Sequence, residues 1–302
     1  MTRTPLAALL LCGGAALADT AYPSSNRPLA VRSVTATSTL AARQDAHAAW
    51  RVLNPTVKAL DDDTVEYDSA WCEGKPDEGI GEAITIVFAE PTQIEGVYVA
   101  AGAWKDDKEY AAANQITALA LSTDDGRKLT VAPPEGRGHL ADITLGGAPV
   151  GSLTLTIAGV KKGRTNDTCI SEVELVAGGK RYSPIVGIDR AALAALPATV
   201  AKINAALAKC DETVLAASVD APIRFTATVR RADGTRAEAT VKTLATVKDA
   251  CREHLALPAA DGEWFADSDA PGRVSFALFH NADMTWRLAW RDGRWRLVAI
   301  DY

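Results

Sequence analysis

Histidine is scarce and scattered in this chain. The four present, His47, His139, His254 and His280, show no His-x-x-x-His spacing and no His/Cys pairing. That removes the usual metal-centre and nucleophile constellations. No Gly-x-Ser-x-Gly elbow, phosphate-cradling glycine loop or dinucleotide fingerprint occurs. An excess of positive charge is also missing. The formal charge is −6 and the pI near 5.3, which argues against non-specific binding to nucleic acid or to an anionic membrane, since both need a basic face. Beyond the N-terminus no segment reads as long and apolar enough to span a bilayer, and no repeats appear apart from a general richness in alanine.

What is present begins with an address. Arg3, the apolar run Leu6 to Ala16 and the small residues Ala16-Leu17-Ala18 read as a signal peptide over residues 1–18, the run being too short to cross a membrane. Leu11 before Cys12 is too bulky for a lipid-attachment site. The protein is therefore expected to be exported, periplasmic or secreted, and of bacterial character. Cys12 leaves with the signal, and Cys72, Cys169, Cys210 and Cys251 remain. An even number in an exported chain favours disulfides. Three pairings are possible, and Cys72–Cys169 with Cys210–Cys251 is preferred because each bridge then lies within one proposed domain. Each would contribute ~4 kcal/mol by restricting the unfolded chain.

With 48% hydrophobic residues the chain can bury a core, and a mature length of about 280 residues suggests two domains. Residues 19–30 read as a loose leader. From 31 to 180 short alternating runs recur: Ile84, Ile86 and Phe88; Val97-Tyr98-Val99; Ile116 to Ser122; Lys128 to Val131; Leu153, Leu155 and Ile157; Ile170 to Val176. Period-two strands between Gly, Pro and Asp turns indicate a β-sandwich or jelly roll. Residues 185–302 read as a small α+β domain. A helix over 191–210 carries Val200, Ile203, Leu207 and Cys210 on one face, with Pro197 setting off a short first turn. A hairpin around Asp233-Gly234, a helix over about 244–255, and a closing hairpin around Asp292-Gly293 follow. This order is that of a cystatin-like or nuclear-transport-factor-like cone.

Three motifs carry a more specific reading. Ser69-Ala70-Trp71-Cys72-Glu73-Gly74 is followed by Gly79-Ile80-Gly81-Glu82; Gly102-Ala103-Trp104-Lys105 precedes Tyr110 and Asn114; Asp167-Thr168-Cys169-Ile170-Ser171-Glu172-Val173-Glu174 closes the series. Residues of about 31–178 resemble the NADase-type glycan-binding domain, a discoidin-like, galactose-binding-like jelly roll. The chain departs from that pattern before Trp71, where Leu60 to Asp68 is long and lacks a glycine, and after Asn114, where no basic residue follows. The resemblance implies a non-catalytic carbohydrate-binding module whose ligand is a glycan or small polyol.

The candidate ligand residues are Trp104, Lys105, Tyr110, Asn114 and Arg164. An aromatic face packs on a sugar's C–H surface, an amide pairs with hydroxyls, and the basic run Lys161 to Arg164 suits an anionic sugar. Trp71 is expected in the core, packed on the Cys72–Cys169 bridge. Asp61 and Asp63, with Glu174 from a strand end, form a possible structural calcium site; no other cofactor is expected. Asn166-Asp167-Thr168 is a formal glycosylation sequon, expected to be unused in a bacterial protein. Trp264, Phe265, Phe276, Trp286, Trp290 and Trp295 are expected in the core of the second domain. Two other readings stand beside the first: an envelope protein-interaction module whose 102–115 loop is the contact surface, and a hydrolase using Glu73 or Glu82.

Overall fold

The structure, a computed structural model, describes residues 27–41, 44–55, 57–59, 65–230, 236–244, 246, 264–266, 270–277 and 285–301. The expected signal peptide, the acidic run Asp61 to Asp63, and most of the helix expected over 244–255 lie outside them.

Among the described residues the first unit, a sandwich with a separate two-stranded β2-β3 sheet, has twelve strands: β1 (Arg27–Ala36), β2 (Val57–Ala59), β3 (Val65–Tyr67), β4 (Trp71–Cys72), β5 (Ala83–Gln93), β6 (Gly96–Ala101), β7 (Gln115–Thr123), β8 (Lys128–Val131), β9 (Ala141–Thr144), β10 (Pro149–Lys161), β11 (Cys169–Ala177) and β12 (Lys180–Val186). A helix, α1 (Gln44–His47), and a 3-10 turn precede β2, and α2 (Asp107–Ala112) lies between β6 and β7. The main sheet runs β8-β7-β10-β5-β1-β12-β11-β6-β9, with β4 also paired to β11. β1 begins inside the segment read as a loose leader. It lies parallel to β12 and antiparallel to β5, at the crease that joins the two layers. Alternation dictates the interior. Val31, Ile84, Ile86, Leu119, Leu121, Leu153, Leu155 and Ile157 meet Val97, Val99, Ile143, Ile170, Val173 and Leu175 in one buried cluster. The fold is thus the expected galactose-binding-like jelly roll, followed by a small α+β part.

Among its described residues that second part has α3 (Arg190–Lys209), α4 (Glu212–Ser218) and six strands, β13 (Val219–Arg230), β14 (Arg236–Leu244), β15 (Trp264–Ala266), β16 (Arg273–Ala277), β17 (Thr285–Arg291) and β18 (Arg294–Asp301), in the order β14-β13-β18-β17-β16-β15. The closing hairpin turns at Asp292 and Gly293, both with positive φ (50° and 73°), the two-residue geometry that Asp-Gly favours. Trp286 and Trp295 are fully buried, as expected, and Trp290 packs against their cluster. α3 differs from expectation in two ways. Pro197 lies inside one continuous helix instead of separating its first turn. An interior proline costs about 3 kcal/mol, and burial of Ala192, Leu196, Val200, Ile203, Ala206 and Leu207 offsets it. Its mean hydropathy of 1.5 also makes α3 apolar enough, by length and composition, to cross a bilayer, contrary to the reading that no later segment is. Alanine raises that value, and here the apolar face packs on the sheet. Cys210 is exposed and sits at the C-cap in the left-handed region (φ 50°), not on the apolar face. It is disulfide-bonded, while Cys251 lies outside the described residues.

The two parts touch. Ala30 and Ile185 of the sandwich join the α3 cluster, Gly272 N–H donates to the Val186 carbonyl at 2.6 Å, and Arg190 bonds Glu90 at 2.7 Å.

Candidate functional site

The two cysteine motifs meet as neighbouring antiparallel strands. Cys72 lies opposite Cys169 and Trp71 opposite Ile170, and the cysteines are bridged with Cα atoms 4.1 Å apart. Successive side chains on a strand point to opposite faces. Trp71 therefore enters the main core, fully buried, with Nε1 donating to the Ser38 carbonyl at 2.9 Å. Cys72 and Cys169 instead form a small separate cluster with Ala70, Leu40 and Ala103. This corrects the expectation that Trp71 packs on the bridge. The disulfide faces away from the tryptophan, toward the end of the sandwich.

At that end lies a concave cavity of about 270 Å³. Its floor is Leu40, Ala70, Ala103 and the disulfide. Tyr67 and Trp104 supply the aromatic wall, their rings edge-to-face with centroids 5.8 Å apart, a favourable aromatic geometry. His47, Asp68, Lys105, Glu109, Thr165 and Asp167 supply the polar groups. His47 Nδ1 lies 3.0 Å from the Ala70 carbonyl. A carbonyl only accepts, so Nδ1 carries a proton and Nε2 remains for another partner. Lys105 bonds Glu109 at 3.1 Å, one helical turn away.

The 102–115 segment, read from sequence as a loop, contains the six-residue helix α2. Asp106 caps it by accepting from the Glu109 N–H at 2.7 Å. Trp104 is 6% exposed, with Nε1 donating to the Ala101 carbonyl at 3.0 Å. The Tyr110 ring lies against Gly102, whose φ of +113° leaves a gap where a Cβ would approach Tyr110 to 2.8 Å. Asn114 is fully buried. Its Nδ2 donates to Thr168 Oγ1 at 3.0 Å and its Oδ1 accepts from the Gly163 N–H at 2.8 Å. Thr168 Oγ1 donates in turn to the Glu78 carbonyl at 2.8 Å.

Of the five ligand residues expected, Trp104 and Lys105 line the cavity. Asn114 and Tyr110 stand behind its wall, because the amide is spent on backbone and hydroxyl partners. Arg164 is exposed and outside the lining; its backbone N–H donates to the Ala112 carbonyl at 2.8 Å. Tyr67, His47, Thr165 and Asp167 also line the cavity and are not among the residues expected there from the sequence. The available signal was that a Cys72–Cys169 bridge draws the flanks of both motifs together.

Behind Tyr67 lies a buried carboxylate pair. Tyr67 donates to Glu172 Oε2 at 2.6 Å, and Arg181 donates to Glu174 Oε1 at 2.6 Å. Burial raises the pKa of Glu172. Burial, and then the charge of Glu172, push Glu174 up to about 7. Burial and the neighbouring carboxylate raise the Tyr67 phenol. Asp61 and Asp63, the other members of the expected calcium set, lie outside the described residues, and among those described no three His, Cys, Asp or Glu side chains cluster for a metal.

The carboxylates of the hydrolase reading do not line the cavity. Glu73 is buried beneath Gly79 (φ +70°), where a Cβ would come within 2.4 Å of its Cγ. Burial raises its pKa. Glu82 is held below the ordinary carboxylate range by hydrogen bonds from Ser38 and Thr37.

The strand order and the bridged motifs define a discoidin-type jelly roll. Residues 26–176 match the NAD glycohydrolase translocation F5/8 type C domain, and the chain belongs to that family. Among solved structures, the Streptococcus pyogenes NAD+-glycohydrolase translocation domain is 18% identical, covering 34% of this chain and 92% of its own, with a TM-score of 0.29. The family 32 CBM from C. perfringens NanJ in complex with galactose is 13% identical over 47% of this chain and 91% of its own, with a TM-score of 0.31. The arabinofuranosyltransferase AftD from Mycobacteria is 18% identical over 50% of this chain, with a TM-score of 0.36; the match spans 11% of that protein's length. No curated protein matches the sequence.

Proposed function

We propose that this is an exported, non-catalytic binding protein that holds a sugar or small polyol in the cavity beside the Cys72–Cys169 bridge. One observation carries the reading: a cavity of about 270 Å³ at one end of a rigid sandwich joins two aromatic rings to polar side chains. Such concave, partly apolar sites with a few convergent polar groups suit small ligands, and loops at the end of a rigid scaffold are where such folds carry function. The non-catalytic reading is supported by the position of Glu73 and Glu82 outside the cavity lining. The α+β part acts as an accessory or partner-binding unit. Calorimetry with simple sugars and a glycan array test this reading. Binding is expected, and Thr165→Trp, which fills the cavity mouth from an exposed position, should weaken it at least about tenfold, or ~1.4 kcal/mol. No binding, or binding that ignores Thr165→Trp, overturns it.

A second reading, an envelope interaction module, is favoured by Ile80. This side chain is 62% exposed between two positive-φ glycines, on a segment pinned by Asn166 to the Pro76 carbonyl and by Lys162 to Glu78. Cross-linking to an envelope partner that is lost in Ile80→Ser, with sugar binding absent, would favour it.

A further inference from the structure

The charge of the cavity specifies more than a generic polyol. Three acidic residues line it, Asp68, Glu109 and Asp167, against one basic residue, Lys105, and His47. Lys105 is committed to Glu109 at 3.1 Å, and His47 donates to the Ala70 carbonyl. Asp68 is exposed and Asp167 half-buried; neither carboxylate has an ion pair among the described residues. The basic run that made an anionic sugar attractive from sequence turns elsewhere: Arg164 lies outside the lining, and Lys162 bonds Glu78 at 2.9 Å. Behind Tyr67, the cation Arg181 is paired with Glu174 at 2.6 Å, so its positive charge is offset there.

We infer that the cavity selects a sugar bearing a free ammonium group, with Asp68 and Asp167 as its counter-charges, over the N-acetylated and acidic forms of the same sugar. This rests on the sugar-binding reading above. Carboxylates accept hydrogen bonds from hydroxyls, so a neutral sugar also fits. An ammonium adds charge-assisted bonds, which are about twice as strong as neutral ones. A uronate meets like charge and leaves carboxylates unpaired, the arrangement that gives discrimination.

The test is calorimetry on the full chain near neutral pH with galactosamine, galactose, N-acetylgalactosamine and galacturonic acid. The amine should bind about tenfold tighter than the N-acetyl form, the difference shrinking as salt is added. In Asp68→Asn and Asp167→Asn the ratio of those two affinities should fall toward one. If the neutral sugars bind but the amine shows no advantage, or the uronate binds best, the inference is overturned and the sugar site stands. If none of the four binds, and a glycan array is also blank, the sugar reading itself fails.

Discussion

Replacing Glu174 by glutamine should stabilise the protein at and above neutral pH. The Glu174 side chain is 13% exposed. One carboxylate oxygen accepts from Arg181 at 2.6 Å and the other is buried without a partner. Burial, reinforced by the charge of Glu172 and opposed by Arg181, raises its pKa from 4.5 to about 7. A raised carboxyl pKa means that the folded state holds the proton more tightly than the unfolded chain. Its contribution is fully present below the unfolded value of 4.5 and is lost as pH rises through about 7. Each pKa unit corresponds to about 1.4 kcal/mol, so the whole shift is worth about 3 kcal/mol. Glutamine keeps the shape and an oxygen for Arg181 but does not ionise. The stability of Glu174→Gln minus that of the native protein should therefore rise by about 3 kcal/mol between about pH 4.5 and pH 8. Urea unfolding followed by tryptophan fluorescence across that range measures the difference, provided the denaturant slope is unchanged. A difference that stays flat with pH, or that falls, would refute the account of Glu174 as a buried, under-compensated acid.

Two further outcomes follow from the site's scaffold. Asn114→Ala should cost about 2–3 kcal/mol by urea unfolding, because it strips partners from the Gly163 N–H and from Thr168; Arg164→Ala, at an exposed position, should stay within about 0.5 kcal/mol, and equal effects would count against the amide as the anchor. Changing Cys72 and Cys169 together to alanine opens a loop of sequence separation 97 and should cost about 4–5 kcal/mol, read as a fall in melting temperature of roughly 10 °C or more; a loss under about 1 kcal/mol would mean the bridge constrains little.

The strands were legible because half-buried sheet residues alternate with period two, as in Ile84-Thr85-Ile86-Val87-Phe88. The Asp292-Gly293 hairpin was legible because few other dipeptides accept two positive φ angles. α2 was not, and the reason is physical: none of its residues is buried, so no apolar stripe records the turn, and only the Asp106 cap marks it. Pro197 misled because its backbone rule is local, whereas the burial that overrides it comes from the sheet beneath α3. Tyr67 was hidden in a run that reads as an acidic loop; its value depends on Glu172, 105 positions away.

The site shows the same division between local and distant causes. Asn114 and Arg164 are equally plausible ligand residues by type, and only burial separates them. The amide became the hub of the cavity wall. It bonds the 163–168 segment directly, and through Thr168 it reaches the Glu78 carbonyl. The backbone N–H groups of Arg164 and Thr165 both donate to the Ala112 carbonyl, while Asn166 holds the Pro76 carbonyl. Three connecting segments are thereby fixed to one another and, through Cys72–Cys169, to the sheet. A cavity walled in this way is held by the chain's own hydrogen bonds, which would lower the ordering cost of the proposed binding. Asn114, which reads as a contact in the sequence, thus holds the segments that carry Trp104, Thr165 and Asp167 at the cavity.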